Sequence, residues 1–295
     1  MERIPMNRPK CCPVLVKQCV MFALSVTILD ADTLTLKSGQ SVSGRLFRRE
    51  GDALVLVSGP NGEPVTAAAS VPLAEITSVE CDQPLVMKNA PAMLSSGKMS
   101  NVLSELRLAL PVAETYADLP GSYWPDLYSL QAHVTLALGK DAEAADLATT
   151  MKKLKNPGLI ADSQALRALI AARKSDHSTA ASLAEPVIKD AVRPSAVAAA
   201  SVALGQGYLE KKKFPEALKA FLELPVFLPD ETALSGIARL GVAQAYFGME
   251  DYDSAIATLE ELIKTQSGIP EVSMAEALLP EWNRRRRAVK EAKEP

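Results

Sequence analysis

The sequence predicts an α+β chain of several parts, in which a small five-stranded β-barrel over residues 32–82 precedes an α-solenoid of helical hairpins over residues 123–268. Three observations predict it. Apolar residues recur at every second position between Thr33 and Cys81. From Met93 onward glycine becomes sparse and the apolar period lengthens to ~3.6 residues. Small residues in that second part recur at a nearly constant interval. Composition agrees, since 48% hydrophobic and 23% charged residues describe a chain that buries a core, and 5% aromatics with abundant alanine suit close-packed helices. A formal charge of −3 supplies no overall field for a polyanion, which disfavours a dedicated nucleic-acid binder.

The chain opens with Arg3, Arg8, Lys10 and Lys17, followed by an apolar run from Cys19 to Leu29 and the junction Ala31-Asp32. A basic start, a short apolar stretch and a small residue before the junction are the layout of a secretory signal peptide. Residues 1–31 are therefore expected to be removed on export, leaving a periplasmic or secreted bacterial protein that meets a membrane only in transit. The run falls short of the roughly 20 apolar residues that a spanning helix needs. Removal takes away four basic and two acidic groups and leaves a formal charge of −5. It also takes Cys11, Cys12 and Cys19, so Cys81 remains alone and makes no internal disulfide. At the end of an apolar strand, Cys81 reads as buried filler rather than a nucleophile.

Residues 32–82 divide into five expected strands, Thr33–Leu36, Ser41–Arg49, Ala53–Val57, Val65–Val71 and Ile76–Cys81. Ser38-Gly39, Glu50-Gly51-Asp52 and Gly59-Pro60-Asn61-Gly62 supply the turn residues between them, and Pro72 to Glu75 reads as a one-turn connector. Leu54 and Leu56 alternate with Val55 and Val57, so both faces of that strand are apolar, as in a closed barrel or against a neighbouring domain. With Leu36, Gly39, Gly44 and Leu46, the stretch resembles the first half of a small SH3-like or Sm-like barrel. Sm-like proteins that bind RNA carry an Asp and an Asn in the loop after the second strand. Here Asp52 is followed by Ala53 and Leu54, so that function does not carry over. Arg45, Arg48 and Arg49 have Glu50 and Asp52 beside them and read as a solvated hairpin.

Residues 83–122 are expected to form a linker and a capping helix, Met99 to Leu119, with Pro111 inside it. Beyond it Ala132, Ala168, Gly205 and Ala243 are spaced 36, 37 and 38 residues apart, and Ala144, Ala180, Ala217 and Ala255 each follow twelve residues later. Two helices joined by a short turn cross closely only where neither presents a bulky side chain. The third unit adds Leu204, Tyr208, Phe214, Phe221, Leu224 and Pro229, and the fourth adds Tyr246, Tyr252, Leu259 and Leu262. The first keeps Tyr128, Gly139 and Met151, and the second Val187. These units resemble tetratricopeptide repeats, with residues 269–295 as a C-terminal capping helix.

The resemblance implies that the first helix of every pair lines a concave groove, which maps to Leu169, Arg173, Gln206, Leu209, Gln244 and Phe247. A lysine and asparagine clamp for a terminal carboxylate is lacking there, so an amphipathic helix or an extended apolar peptide is the expected occupant.

Motifs for chemistry are scarce. The sequence contains no phosphate-binding loop, no nucleophile-elbow serine, no paired-cysteine zinc spacing and no histidine-glutamate metal helix. His133 stands alone, and His177 lies in a helix-start cluster, Ser175 to Ser178, where capping is the ordinary role. Glu250, Asp251 and Asp253 read as a turn and helix start. No cofactor, metal, nucleic acid or small-molecule substrate is therefore called for. The expectation is a non-enzymatic scaffold of the bacterial cell envelope with a protein or peptide partner. Its rivals are an RNA-binding Sm-like barrel with a helical adaptor, which needs a basic channel, and a hydrolase using Cys81 or a serine, which needs a pocket joining that nucleophile to a histidine.

Overall fold

The alternating segment folds as strands and the 3.6-period segment as helices in the computed structural model, which describes residues 31–63, 69–154 and 156–293. Residues 1–30, which hold nearly all of the expected export segment, and residues 64–68, which include the first four of the fourth expected strand, lie outside the described residues.

Six strands are described: β1 Asp32–Leu36, β2 Ser41–Gly44, β3 Leu46–Glu50, β4 Ala53–Ser58, β5 Ser70–Pro72 and β6 Ile76–Glu80. They form two antiparallel three-stranded sheets, ordered β2-β1-β6 and β3-β4-β5, in place of the expected five-stranded barrel. The expected strand Ser41–Arg49 divides at Arg45, and its halves join different sheets. Close approach explains the division, because a Cβ on Gly44 would collide with Leu56 and lie 3.1 Å from the Phe47 ring. Leu34, Phe47, Leu54, Val71, Ile76 and Val79 fill the core, and Tyr116 and Leu119 complete it from the helical side.

The segment expected as linker contains a full helix, α1 Leu85–Ser95, and then α2 Met99–Ala113. The expected helix to Leu119 stops soon after Pro111 and passes into a 3-10 turn, Glu114–Tyr116. This exit lies against the strands. The Tyr116 hydroxyl donates to Asp32 Oδ2 at 2.6 Å, Arg49 pairs with Asp118 at 2.7 Å, and the Val79 amide donates to the Pro120 carbonyl at 2.8 Å.

Four antiparallel helix pairs follow among the described residues: α3 Trp124–Ala137 with α4 Asp141–Lys153, α5 Pro157–Arg173 with α6 His177–Asp190, α7 Pro194–Glu210 with α8 Phe214–Phe227, and α9 Ser235–Gly248 with α10 Tyr252–Thr265. α11, Pro270–Lys293, closes the order. The odd-numbered helices α3, α5, α7 and α9 also pack on one another, forming an inner layer backed by the even-numbered ones. Burial follows this placement: α7 buries residues around its whole circumference, whereas α8 buries only the stripe Ala217, Phe221 and Leu224.

Every turn inside a pair carries a positive-φ residue, at Gly139 (φ 74), Ser175 (φ 59), Lys212 (φ 54) and Glu250 (φ 63). Their intervals of 36, 37 and 38 residues equal those of the small positions. The eight small positions are all buried. At one of these crossings Phe221 of α8 is wedged between two glycines: a Cβ on Gly205 of α7 would lie 2.8 Å from its ring, and one on Gly241 of α9 would collide with it. Asp176 and Asp251 cap α6 and α10 by accepting from Thr179 N and Ser254 N, each at 3.1 Å.

Long-range contacts tie the two ends together. α1 packs against a 3-10 turn, Thr232–Leu234, that precedes α9. The turn after α1 meets the turn after α10, where a Cβ on Gly97 would run into the Ser267 backbone.

Candidate functional site

The inner helices end at the positive-φ turns, and their last turns open a trough. Two hollows, of about 540 and 370 Å³, share Arg173 from the end of α5, Gln206 from α7 and Gln244 from α9. The first is also lined by His177 and Leu209, and the second by Asp141 and, from α11, Glu271 and Met274.

Arg173 is held rather than free. Its Nη1 donates to the Leu136 carbonyl at 2.9 Å and to Asp141 Oδ1 at 2.6 Å, fixing one positive charge in the trough wall. Burial pushes the Glu271 carboxyl above the usual glutamate range, with Arg173 pulling the other way. Gln206 Oε1 and both ring nitrogens of His177 are buried without a hydrogen-bond partner. Each such group costs roughly 1–3 kcal/mol when left unpaired, so the trough presents unspent hydrogen-bonding capacity.

Of the six groove residues expected, the structure gathers Arg173, Gln206, Leu209 and Gln244 on this trough. Leu169 has no exposed surface, because α5 packs between α3 and α7, and it presents nothing to a ligand. Phe247 stacks on Trp282 of α11, with ring centroids 4.4 Å apart at 18°, and meets Tyr252 edge-on at 5.2 Å. The apolar face expected to take a partner is occupied there by the chain's own last helix. Glu271 and Met274 escaped sequence reasoning because α11 belongs to no repeat, and no period maps it onto the inner layer.

Among the described residues Cys81 shares no hollow with either histidine, whereas Ser195 and His133 line one cavity. Cys81 packs against the β core, where burial first and then the charges of Asp32 and Asp82 push its thiol up to about 12. His177 lines the trough. His133, expected to stand alone, is 3% exposed and has neighbours from α5: its Nε2 lies 4.0 Å from Asp162 Oδ1, while its Nδ1 donates to the Ser129 carbonyl at 2.9 Å. Ser195 donates to Asp162 Oδ1 at 2.8 Å rather than to the imidazole. Arg48 pairs with Glu50, and Arg49 with Asp118. Among the described residues no three His, Cys, Asp or Glu side chains gather as metal ligands, and no helix is long and apolar enough to cross a membrane.

No family model matches the chain, and no curated protein matches it.

Proposed function

We propose that the chain is a non-enzymatic binding protein of the bacterial cell envelope, in which a tetratricopeptide-like array holds an extended segment of a protein partner in the trough. One observation carries the reading: Gln206 and Gln244, presented by neighbouring inner helices, line both hollows together, beside Leu209 in one and Met274 in the other. A carboxamide offers one acceptor and two donors, the complement of a peptide unit, so paired glutamines grip an extended backbone while apolar neighbours select side chains. The high pKa of the Cys81 thiol keeps it protonated, which favours binding over hydrolysis at that residue. The β unit, in this reading an SH3-like fold, supplies a second contact surface.

Selection of a random peptide library on the purified chain tests the proposal. Selected peptides should lose about tenfold or more in affinity with the Gln206→Ala/Gln244→Ala double variant, the equivalent of one or two hydrogen bonds, while Lys219→Ala changes nothing. Failure to select any peptide, or peptides indifferent to the double variant, would overturn it. Export rests on the N-terminal sequence. The native protein should begin within a few residues of Asp32, and an intact N-terminus from a cytoplasmic fraction would refute export.

A further inference from the structure

A second cavity, of about 240 Å³, lies beneath α1 near the opposite ends of the inner helices and shares no lining residue with the trough. Met87, Ala90 and Leu94 of α1 form its roof, and Leu130 and Leu234 add to the apolar wall. Its other side is polar and crowded with acids.

Asp162, wholly buried on α5, lies behind that polar side. Its Oδ1 accepts from Ser195, and its Oδ2 lies 3.3 Å from Arg193 Nε. The same guanidinium donates to Asp126 Oδ1 at 2.7 Å, so one cation is shared between two carboxylates. Asp230 and Glu231 bring two further carboxyl groups to the wall, and neither makes an ion pair among the described residues. Burial raises the Glu231 carboxyl, with the Arg193 guanidinium pulling the other way. His133 supplies the observation that points to a ligand: it is 3% exposed and lines the cavity, yet its Nε2 has no hydrogen-bond partner. With Nδ1 donating to a carbonyl, a neutral ring leaves Nε2 as a buried acceptor that needs a donor.

Four carboxyl groups thus face one guanidinium and one imidazole. Asp126 and Asp230 are exposed and screened by water, so the groups of the cavity that still need a partner are the half-buried, unpaired Glu231 and the unpartnered His133 Nε2. We propose that this cavity binds a small organic amine, its ammonium donating to Glu231 and to His133 Nε2 and its hydrocarbon body lying along Met87, Ala90 and Leu94. The apolar roof and the missing cluster of metal ligands among the described residues favour an amine over a metal ion. The volume sits below the ~300–1,000 Å³ of pockets for drug-sized ligands, which limits the amine to a small one. The inference is independent of peptide binding in the trough.

Calorimetric titration of the purified chain with phenethylamine and with 3-phenylpropionate, similar in size and opposite in charge, tests the proposal. Saturable binding of the amine alone is expected, with a rise in Tm on adding it. Glu231→Gln should weaken binding about tenfold or more, as expected for loss of a charge-assisted hydrogen bond, and should abolish the Tm rise while keeping the helical circular-dichroism signal. Leu209→Ala, in the trough, should leave amine binding unchanged. Equal binding of both probes, no saturable amine binding up to about 1 mM, or an unaltered affinity in Glu231→Gln would overturn the proposal.

Discussion

The β unit and the helical array exclude water by opposite means. The β unit places large side chains, Leu34, Phe47, Leu54 and Val79 among them, between two three-stranded sheets, and borrows Tyr116 and Leu119 to finish the core. The array brings its helices close by removing side chains at the crossings, so alanines and glycines meet and a few large residues such as Phe221 lock the gaps. A unit of some fifty residues has too little interior to be robust alone, whereas the array adds interior with each helix pair. The β unit is therefore the dependent partner, and residues 116–121 are its attachment.

The largest expected effect tests the array's side of this contrast. Phe221→Ala should cost about 3–5 kcal/mol in a denaturant titration, because the rigid glycine-lined slot cannot collapse around alanine. Gly205→Leu should cost about 1–3 kcal/mol by overpacking the same slot. Lys219, exposed on α8, is the control, and Lys219→Leu should stay within about 0.5 kcal/mol of the unaltered chain. Equal losses at Lys219 and Gly205 would mean that the small-residue crossings do not carry the array.

Tyr116→Phe probes the attachment. It removes the 2.6 Å hydrogen bond to Asp32, leaves that carboxylate without its donor and should cost about 1–2 kcal/mol. A single unfolding transition, shifted as a whole, is expected if the connector couples the two regions. Two separated transitions, with only the strand signal shifted, would show them to be independent.

The smallest effect is a pH dependence with one carboxyl in each region. Burial raises both Asp32 in the β unit and Glu271 in the array. Each therefore holds its proton more tightly folded than unfolded. The stability it contributes is full below the ordinary values of 3.8 and 4.5 and is lost as pH rises through the higher folded value. Glu271→Gln should flatten that part of the stability profile, and Asp32→Asn should flatten it separately. Unchanged profiles in titrations at a series of pH values would contradict the burial argument.

Much of this was legible in the sequence because it is local. Period two and period 3.6 place the strands and the four helix pairs, since each period states which face an element must bury. The intervals between Ala132, Ala168, Gly205 and Ala243 name the crossings, because a close approach needs a missing side chain on either helix. Asp176 and Asp251 announce their helix starts, because a cap bonds within a few residues of itself. Gln206 and Gln244 occupy equivalent positions of one period, and it is the repeat resemblance that set both on a groove.

Tertiary structure decided what buries each face. α1 hides behind Pro91 and reads as linker, and its apolar side gains meaning only from the turn at Thr232–Leu234 that it meets far along the chain. Phe247 faces an open groove by the repeat resemblance, but Trp282 of α11 covers it. His133 stands alone in the sequence, whereas Asp162 and Ser195 reach its surroundings from two other helices. Periodicity is a property of neighbours along the chain, while burial and charge balance belong to neighbours in space, and the packing of inner helices alone brings those together.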